Sequence, residues 1–96
     1  MNAWFEALGR RFKEAARKEG VEIAQPELDA QVADEVLELA RVAAHSKERR
    51  FAPLACFMAG VAAERLRQGG YASPGAEAAY LRAIHQALEA EPETTV

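Results

Sequence analysis

The sequence has one cysteine, Cys56, and few aromatic residues: four phenylalanines, two tyrosines and one tryptophan among 96 residues. A single cysteine excludes an internal disulfide and provides no zinc-binding spacing. No apolar run approaches the roughly 20 residues that a helix needs to cross a bilayer, and the N-terminus lacks the apolar segment of a signal peptide. We therefore expect a cytoplasmic protein with no membrane span.

An excess of positive charge is also missing, since the net charge is −3. General nucleic-acid binders usually carry a basic footprint, so we expect no nucleic-acid partner. The sequence contains neither a nucleophile paired with a base nor a metal-binding pattern such as HExxH. We accordingly expect no enzyme activity, no catalytic residue, no metal and no cofactor.

Helix caps and breakers divide the chain into four amphipathic segments. In chain order these signals are Asn2, Gly20, Pro26, Gly69–Gly70 and Ser73–Pro74. Pro26 is predicted at the first position of the second helix, where its missing N–H costs nothing. The turns between the segments are short, which favours antiparallel neighbours. The sequence therefore predicts an all-α fold, a four-helix antiparallel bundle formed by a single domain over residues 1–90. Residues 91–96 are predicted to be a frayed tail.

The third segment contains the longest uncharged run, from Ala52 to Ala63. A helix that is apolar on all sides is usually buried, so we predict an apolar central third helix with Phe57 almost fully buried. Gly60 lies inside this helix, where a glycine costs about 1 kcal/mol relative to alanine. Such a cost suggests a compensating benefit, and we predict that Gly60 allows a neighbouring helix to approach closely.

A basic turn before the third helix is the main candidate binding site. Its residues are Arg41, His45, Arg49 and Arg50. Free amides at a helix N-terminus, together with guanidinium groups, can hold a phosphate or carboxylate. This hypothesis requires the third helix to begin near Pro53, so that the amides of Leu54 and Ala55 are free. The alternative is a solvated basic turn at the end of the second helix, which the small contribution of exposed charge favours.

Helical spacing places a second candidate on one face of the second helix: Asp34, Glu38, Arg41 and His45. Two carboxylates and an imidazole are metal ligands, but a guanidinium among them disfavours a cation. A solvated ladder of ion pairs is the favoured interpretation.

Three single residues have structural interpretations that outweigh functional ones. Cys56 lies in apolar sequence, where a thiol has a raised pKa and acts as a small hydrophobic group. His85 borders the apolar stripe of the fourth helix and is predicted at its rim. Trp4 is predicted in the core, although tryptophan is also enriched in interfaces.

The central stretch also resembles a small, uncharacterised family of helical domains. The resemblance lies in residues 39–45 (LARVAAH), Arg49, residues 52–54 (APL) and residues 57–60 (FMAG). The matching positions are His45, Arg49, Pro53, Leu54, Phe57 and Gly60, whereas the family commonly has a glycine where this chain has Ser46. In bacteria this family often lies beside, or fused behind, the nucleotidyltransferase that attaches GMP to molybdopterin. The resemblance implies a link to molybdenum-cofactor biosynthesis, with such a nucleotidyltransferase as partner.

Two functions therefore stand as predictions. The first is an accessory or protein-interaction domain, with the molybdenum-cofactor link implied by the resemblance alone. The alternative is a small anion- or nucleotide-binding protein that uses the turn from His45 to Arg50. We also expect a homodimer, because four amphipathic helices in a chain of this size leave apolar surface to cover and two-fold dimers are the commonest oligomers.

Overall fold

The computed structural model describes residues 2–70 and 73–91, and these residues form four α-helices and no strand. The helices are α1 (Ala3–Lys18), α2 (Ala30–Ser46), α3 (Phe51–Gln68) and α4 (Pro74–Ala90). The predicted all-α class is therefore confirmed, while the antiparallel bundle stays a prediction. The predicted tail, residues 91–96, lies outside the described residues apart from Glu91.

The chain divides into two compact units, residues 1–30 and residues 31–96. The first unit contains α1 and the segment that follows it, and the second contains α2, α3 and α4. The assignment of residues 1–90 to one domain stays a prediction. None of the helices in the described ranges combines the length and hydropathy that a membrane span requires.

Two of the four helices begin at the predicted capping residues. The Oδ1 atom of Asn2 accepts a hydrogen bond from the amide of Phe5 at 3.2 Å. The Oγ atom of Ser73 accepts one from the amide of Ala76 at 3.1 Å, and Pro74 fills the first helical position. Each cap satisfies one of the amides that a helix start leaves without a partner.

Glycines end α1 and α3, as predicted. Gly20 has a φ angle of +84° and Gly70 one of +106°, a conformation that glycine adopts at little cost. After α1, the amide of Gly20 donates to the carbonyl of Arg17, and the amide of Val21 donates to the carbonyl of Ala16, both at 2.9 Å. This pair of bonds is the Schellman motif, which satisfies carbonyls at the helix end.

Two predictions for the first unit are wrong. The second helix begins at Ala30 rather than at Pro26, because the chain before it runs over α1. A Cβ atom added to buried Gly9 would overlap the carbonyl oxygen of Pro26, so it is Gly9 that permits a close backbone approach. Trp4, predicted in the core, is 66% exposed and packs edge-on against Phe5 with ring centroids 4.9 Å apart.

The core of the second unit brings one residue from each of its helices together. Leu39 of α2, Ala59 of α3 and Leu81 of α4 are buried in one cluster, with half-buried side chains such as Val36 and Leu88 packed around it. Helix α2 therefore contacts both α3 and α4. This packing decides which faces of α3 and α4 remain available for binding.

Candidate functional site

Helix α3 places most of its small residues inward and most of its large apolar residues outward; Leu66, near its C-terminal end, is half-buried. The residues on its inner side that are buried or half-buried include Ala52, Ala55, Cys56, Ala59 and Ala63. Alanine side chains are short, so they let α3 lie close to its neighbours. The sequence shows two apolar faces on this helix, and the structure buries the one that allows the closer approach.

The large residues on the opposite side form what we call the outer face of α3. Its members are Phe51, Leu54, Phe57, Met58 and Val61, all of which are exposed. Leu54 is 61% exposed, Phe57 75% and Met58 71%. The prediction that Phe57 is almost fully buried is therefore wrong, and the apolar third helix is buried on its alanine side alone.

Gly60 does not have the role that its sequence position suggests. It is exposed, and a Cβ atom added to it would meet nothing within 4 Å. The predicted close approach of a helix at Gly60 is therefore wrong. No packing contact at this position compensates for the cost of a glycine inside α3.

Charged residues lie at both ends of the outer face. Arg50, just before α3, bonds through its Nε atom to Glu48 at 2.7 Å and has an 80% exposed side chain. Near the other end, Glu64 lies 3.8 Å from the guanidinium of Arg67. The outer face is thus an apolar stripe with an arginine at its N-terminal end, and with Glu64 next to exposed Arg65 at its C-terminal end.

An open pocket of about 500 Å³ adjoins the outer face where α2 and α4 end and α3 begins. Its apolar lining includes Phe51, Leu54, Met58 and Leu88, and its polar lining includes Arg41 and His45. Two of the four residues of the anion hypothesis therefore line one pocket, although the carboxylates of Glu89 and Glu91 line it as well.

The structure gives carboxylate partners to two of the four residues in the anion hypothesis. Arg41 bonds to Glu38 at 3.0 Å and to Glu89 at 2.9 Å, and these two carboxylates raise the pKa of Arg41 above its usual value. Arg50 bonds to Glu48, while Arg49 and His45 are exposed. An anion that binds Arg41 has to compete with both of its carboxylates.

The backbone part of the hypothesis concerns the start of α3. Helix α3 begins at Phe51, two residues before Pro53. The amides of Phe51 and Ala52 donate to the carbonyls of Glu48 and Arg49 at 3.0 and 3.2 Å, and a proline has no amide N–H. These bonds engage the first two amides of α3, and the anion hypothesis stays a prediction.

The acidic and basic stripe of α2 contains one hydrogen-bonded pair. Glu38 and Arg41 bond to each other, as the ion-pair interpretation predicts. In the described part of the chain, no three ligand side chains are grouped so that they could hold a metal ion.

Cys56 is half-buried with its Sγ atom 3.8 Å from the carbonyl oxygen of Val36, and burial raises the pKa of its thiol.

A buried polar cluster joins α2 to α4, and the sequence analysis did not predict it. Glu35 accepts a hydrogen bond at 2.9 Å from Nε of Arg82 and lies 2.8 Å from Nε2 of His85. His85, predicted at the rim, is only 7% exposed. The bonds from His85 and Arg82 lower the pKa of Glu35, the larger effect coming from His85. The three-residue spacing of Arg82 and His85 on α4 was the one local signal for this cluster.

A second buried carboxylate connects α3 with α4. Glu77 is 4% exposed, and the Nη2 atom of Arg67 lies 2.6 Å from its Oε1 atom. The hydrogen bond to Glu77 raises the pKa of Arg67. Both buried carboxylates are therefore paired with an arginine, so they stabilise the helix arrangement and are not available to a ligand.

The chain matches the model of a protein family. The model of a family described as a domain of unknown function, DUF6457, matches residues 1–95. No curated protein and no solved structure matches the chain. The family match covers nearly the whole chain, and its description assigns no activity.

Proposed function

This chain belongs to the DUF6457 family, and we propose that it is a cytoplasmic accessory domain that binds another protein through the outer face of α3. The observation that carries the proposal is the exposure of Leu54, Phe57 and Met58 side by side on one helix face. Contiguous apolar patches on a soluble domain mark interaction sites more often than isolated exposed residues do.

The spacing of the exposed residues supports binding to a groove. Leu54, Phe57, Met58 and Val61 follow the pattern i, i+3, i+4, i+7. Amphipathic helices that insert into apolar grooves use anchors at this spacing. Because the alanine side of α3 carries the packing of the second unit, a partner at the outer face leaves the contacts of α3 with α2 and α4 unchanged.

The proposed partner is a nucleotidyltransferase of molybdenum-cofactor synthesis. Support for this choice comes from the sequence resemblance of residues 39–60 alone. The proposal assigns no catalytic group to the chain. It assigns a docking role, in which the domain acts on the stability, location or regulation of the transferase.

Affinity capture with the tagged full chain in its source organism tests both parts of the proposal. We expect mass spectrometry to find a molybdopterin nucleotidyltransferase with the wild-type chain and to lose it with Phe57→Asp. Leu37→Asp is the matched control, because Leu37 is 68% exposed on α2 and lies outside the outer face. Capture that survives Phe57→Asp would contradict the assigned face, and the absence of any such transferase would contradict the partner.

Anion binding is a second candidate function, favoured by the presence of Arg41 and His45 in one pocket with an apolar floor. A titration with phosphate and GMP, followed by the NMR shifts of His45, tests it. Glu89→Gln removes one carboxylate that competes for Arg41, so we expect it to tighten binding, whereas Arg41→Ala is expected to weaken it. No shift in either the wild-type chain or Glu89→Gln would rule out this candidate.

A further inference from the structure

We propose that the outer face of α3 pairs with the same face of a second copy of this chain, with the two α3 helices antiparallel. This inference rests on the proposed function in that both treat the outer face as a docking surface: the second copy occupies this face in the free chain, and the transferase displaces it. The observation behind it is a pattern of apolar and charged residues that is complementary to itself when one helix is reversed.

The apolar part of the pattern is a coiled-coil seam. Phe51, Leu54, Met58 and Val61 are separated by three, four and three residues, which is the alternation that keeps a seam facing a partner helix. In an antiparallel pair, Phe51 packs beside Val61 of the second copy, and Leu54 beside Met58 of the second copy. Two-fold symmetry repeats each contact, so the seam contains four layers of large apolar side chains.

The charged part of the pattern fits the same register. Arg50, Phe57 and Glu64 are seven residues apart along one edge of the seam. When the seam layers are aligned as above, Arg50 lies across from Glu64 of the second copy, and Phe57 meets Phe57 of the second copy at the two-fold axis. Residues on such flanking edges set orientation and partner choice in coiled coils.

Arg50 and Glu64 each have a partner within their own chain, and these partners do not prevent the two residues from pairing between copies. The bond from Arg50 to Glu48 is exposed, and Glu64 lies 3.8 Å from its partner Arg67. Exposed ion pairs contribute little to stability, so replacing them with pairs between copies costs little.

A parallel pair of α3 helices would leave two arginines without favourable contacts. Arg65 follows Val61 by four residues and so continues the seam. In a parallel pair Arg65 would face itself within the seam, and Arg50 would lie beside Ala55 of the second copy without a carboxylate. The antiparallel register instead places Arg65 beyond the last apolar layer, where it reaches solvent.

Sedimentation equilibrium of the full chain, from micromolar to millimolar concentration, tests the pairing. We expect a monomer–dimer equilibrium for the wild-type chain and a monomer at all concentrations for Leu54→Glu and Met58→Glu. Both residues are exposed, so these variants should keep the wild-type helix content and thermal melt. Leu37→Glu, which adds the same charge at an exposed leucine of α2, is expected to keep the dimer.

A charge exchange tests the antiparallel register. Arg50→Glu and Glu64→Arg each place like charges across the pair, and we expect each to raise the dimer dissociation constant about tenfold, since both symmetric ion pairs are lost. The double variant restores opposite charges and should return to the wild-type value. A double variant as weak as the single ones would overturn the register, and a wild-type chain that is monomeric throughout would overturn the pairing.

The sedimentation and capture experiments distinguish a failure of self-pairing from a failure of the proposed function. A monomeric wild-type chain that captures a nucleotidyltransferase, and loses it with Phe57→Asp, leaves the proposed function intact and overturns self-pairing. A dimer that is abolished by Leu54→Glu, in a chain that captures no transferase, supports self-pairing and contradicts the proposed partner.

Discussion

Nε2 of His85 lies 2.8 Å from Oε1 of Glu35, and both side chains are about nine-tenths buried. The contact joins α4 to α2, two helices that are far apart in the sequence. The second carboxylate oxygen of Glu35 bonds to Arg82, so both oxygens of this buried group have partners. Nδ1 of His85 has no hydrogen-bond partner among the described residues. Because both oxygens of Glu35 have partners only in the folded chain, the stability of the fold depends on whether Glu35 is ionised.

We expect the free energy of unfolding to fall in acid because of Glu35. Its pKa lies below the usual 4.5 in the folded chain, so the folded state binds fewer protons than the unfolded state in this range. The stabilisation is then present above pH 4.5 and is lost as the pH falls through the lowered value. Thermal melts at a series of acidic pH values should show a flatter profile for Glu35→Gln than for the wild-type chain.

The matched control for this prediction is Glu38→Gln, which removes an exposed carboxylate three residues away on the same helix. It is expected to keep the acid-dependent loss of stability. If the profile of Glu35→Gln runs parallel to that of the wild-type chain, the buried carboxylate is not the group that is coupled to folding.

Two glycine substitutions should have opposite effects on stability. Gly60→Ala meets nothing within 4 Å and replaces a poor helix former, so we expect a gain of about 0.5–1 kcal/mol. Gly9→Ala would place a methyl group against the carbonyl of Pro26 and should destabilise by roughly 1–3 kcal/mol. Urea unfolding of both variants provides the measurement, and a gain in stability from Gly9→Ala would refute the close approach.

Removal of one large apolar side chain should matter in α4 and not on the outer face of α3. Leu81 is 2% exposed, and Leu81→Ala should cost about 2–5 kcal/mol. Phe57 is 75% exposed, and Phe57→Ala should change the free energy of unfolding by less than about 0.5 kcal/mol. Chemical denaturation of dilute protein, where self-association is negligible, separates the two effects. Similar costs for both variants would place Phe57 in the core after all.

Cys56 should react slowly with alkylating reagents. Burial raises its pKa above the usual 9.0, and the thiolate is the form that reacts. We expect alkylation of the native chain to be slower than that of the same chain unfolded in urea, with a larger difference at neutral pH than at alkaline pH. Equal rates in the two states would show that the thiol is neither shielded nor perturbed.

The number of helices and most of their ends could be predicted because the signals for them are local. Asn2 and Ser73 each cap a helix through an amide three residues away, and Gly20 and Gly70 adopt the positive φ angles that their positions predict. The start of α2 at Ala30 was not predicted. Pro26 instead lies against Gly9 of α1, and a contact between residues this far apart leaves no signal in the local sequence.

The orientation of α3 could not be predicted from periodicity. Both of its faces are apolar, and a count of apolar residues gives no reason to place Phe57 outside and Ala59 inside. Packing distance decides between them, since alanines allow a closer approach of the helix backbones. The cluster of Glu35 with His85 was missed for a related reason, because its two residues lie fifty positions apart.

The two sides of α3 are subject to different sequence constraints, because the alanine side packs in the core and the outer face is exposed. Substitutions on the alanine side change the volume of the core, whereas those on the outer face are expected to leave the unfolding free energy of the monomer nearly unchanged. Leu54, Phe57, Met58 and Val61 are therefore free to vary with the surface that they bind. The same separation makes α3 a helix onto which the anchor residues of another protein's binding helix could be grafted.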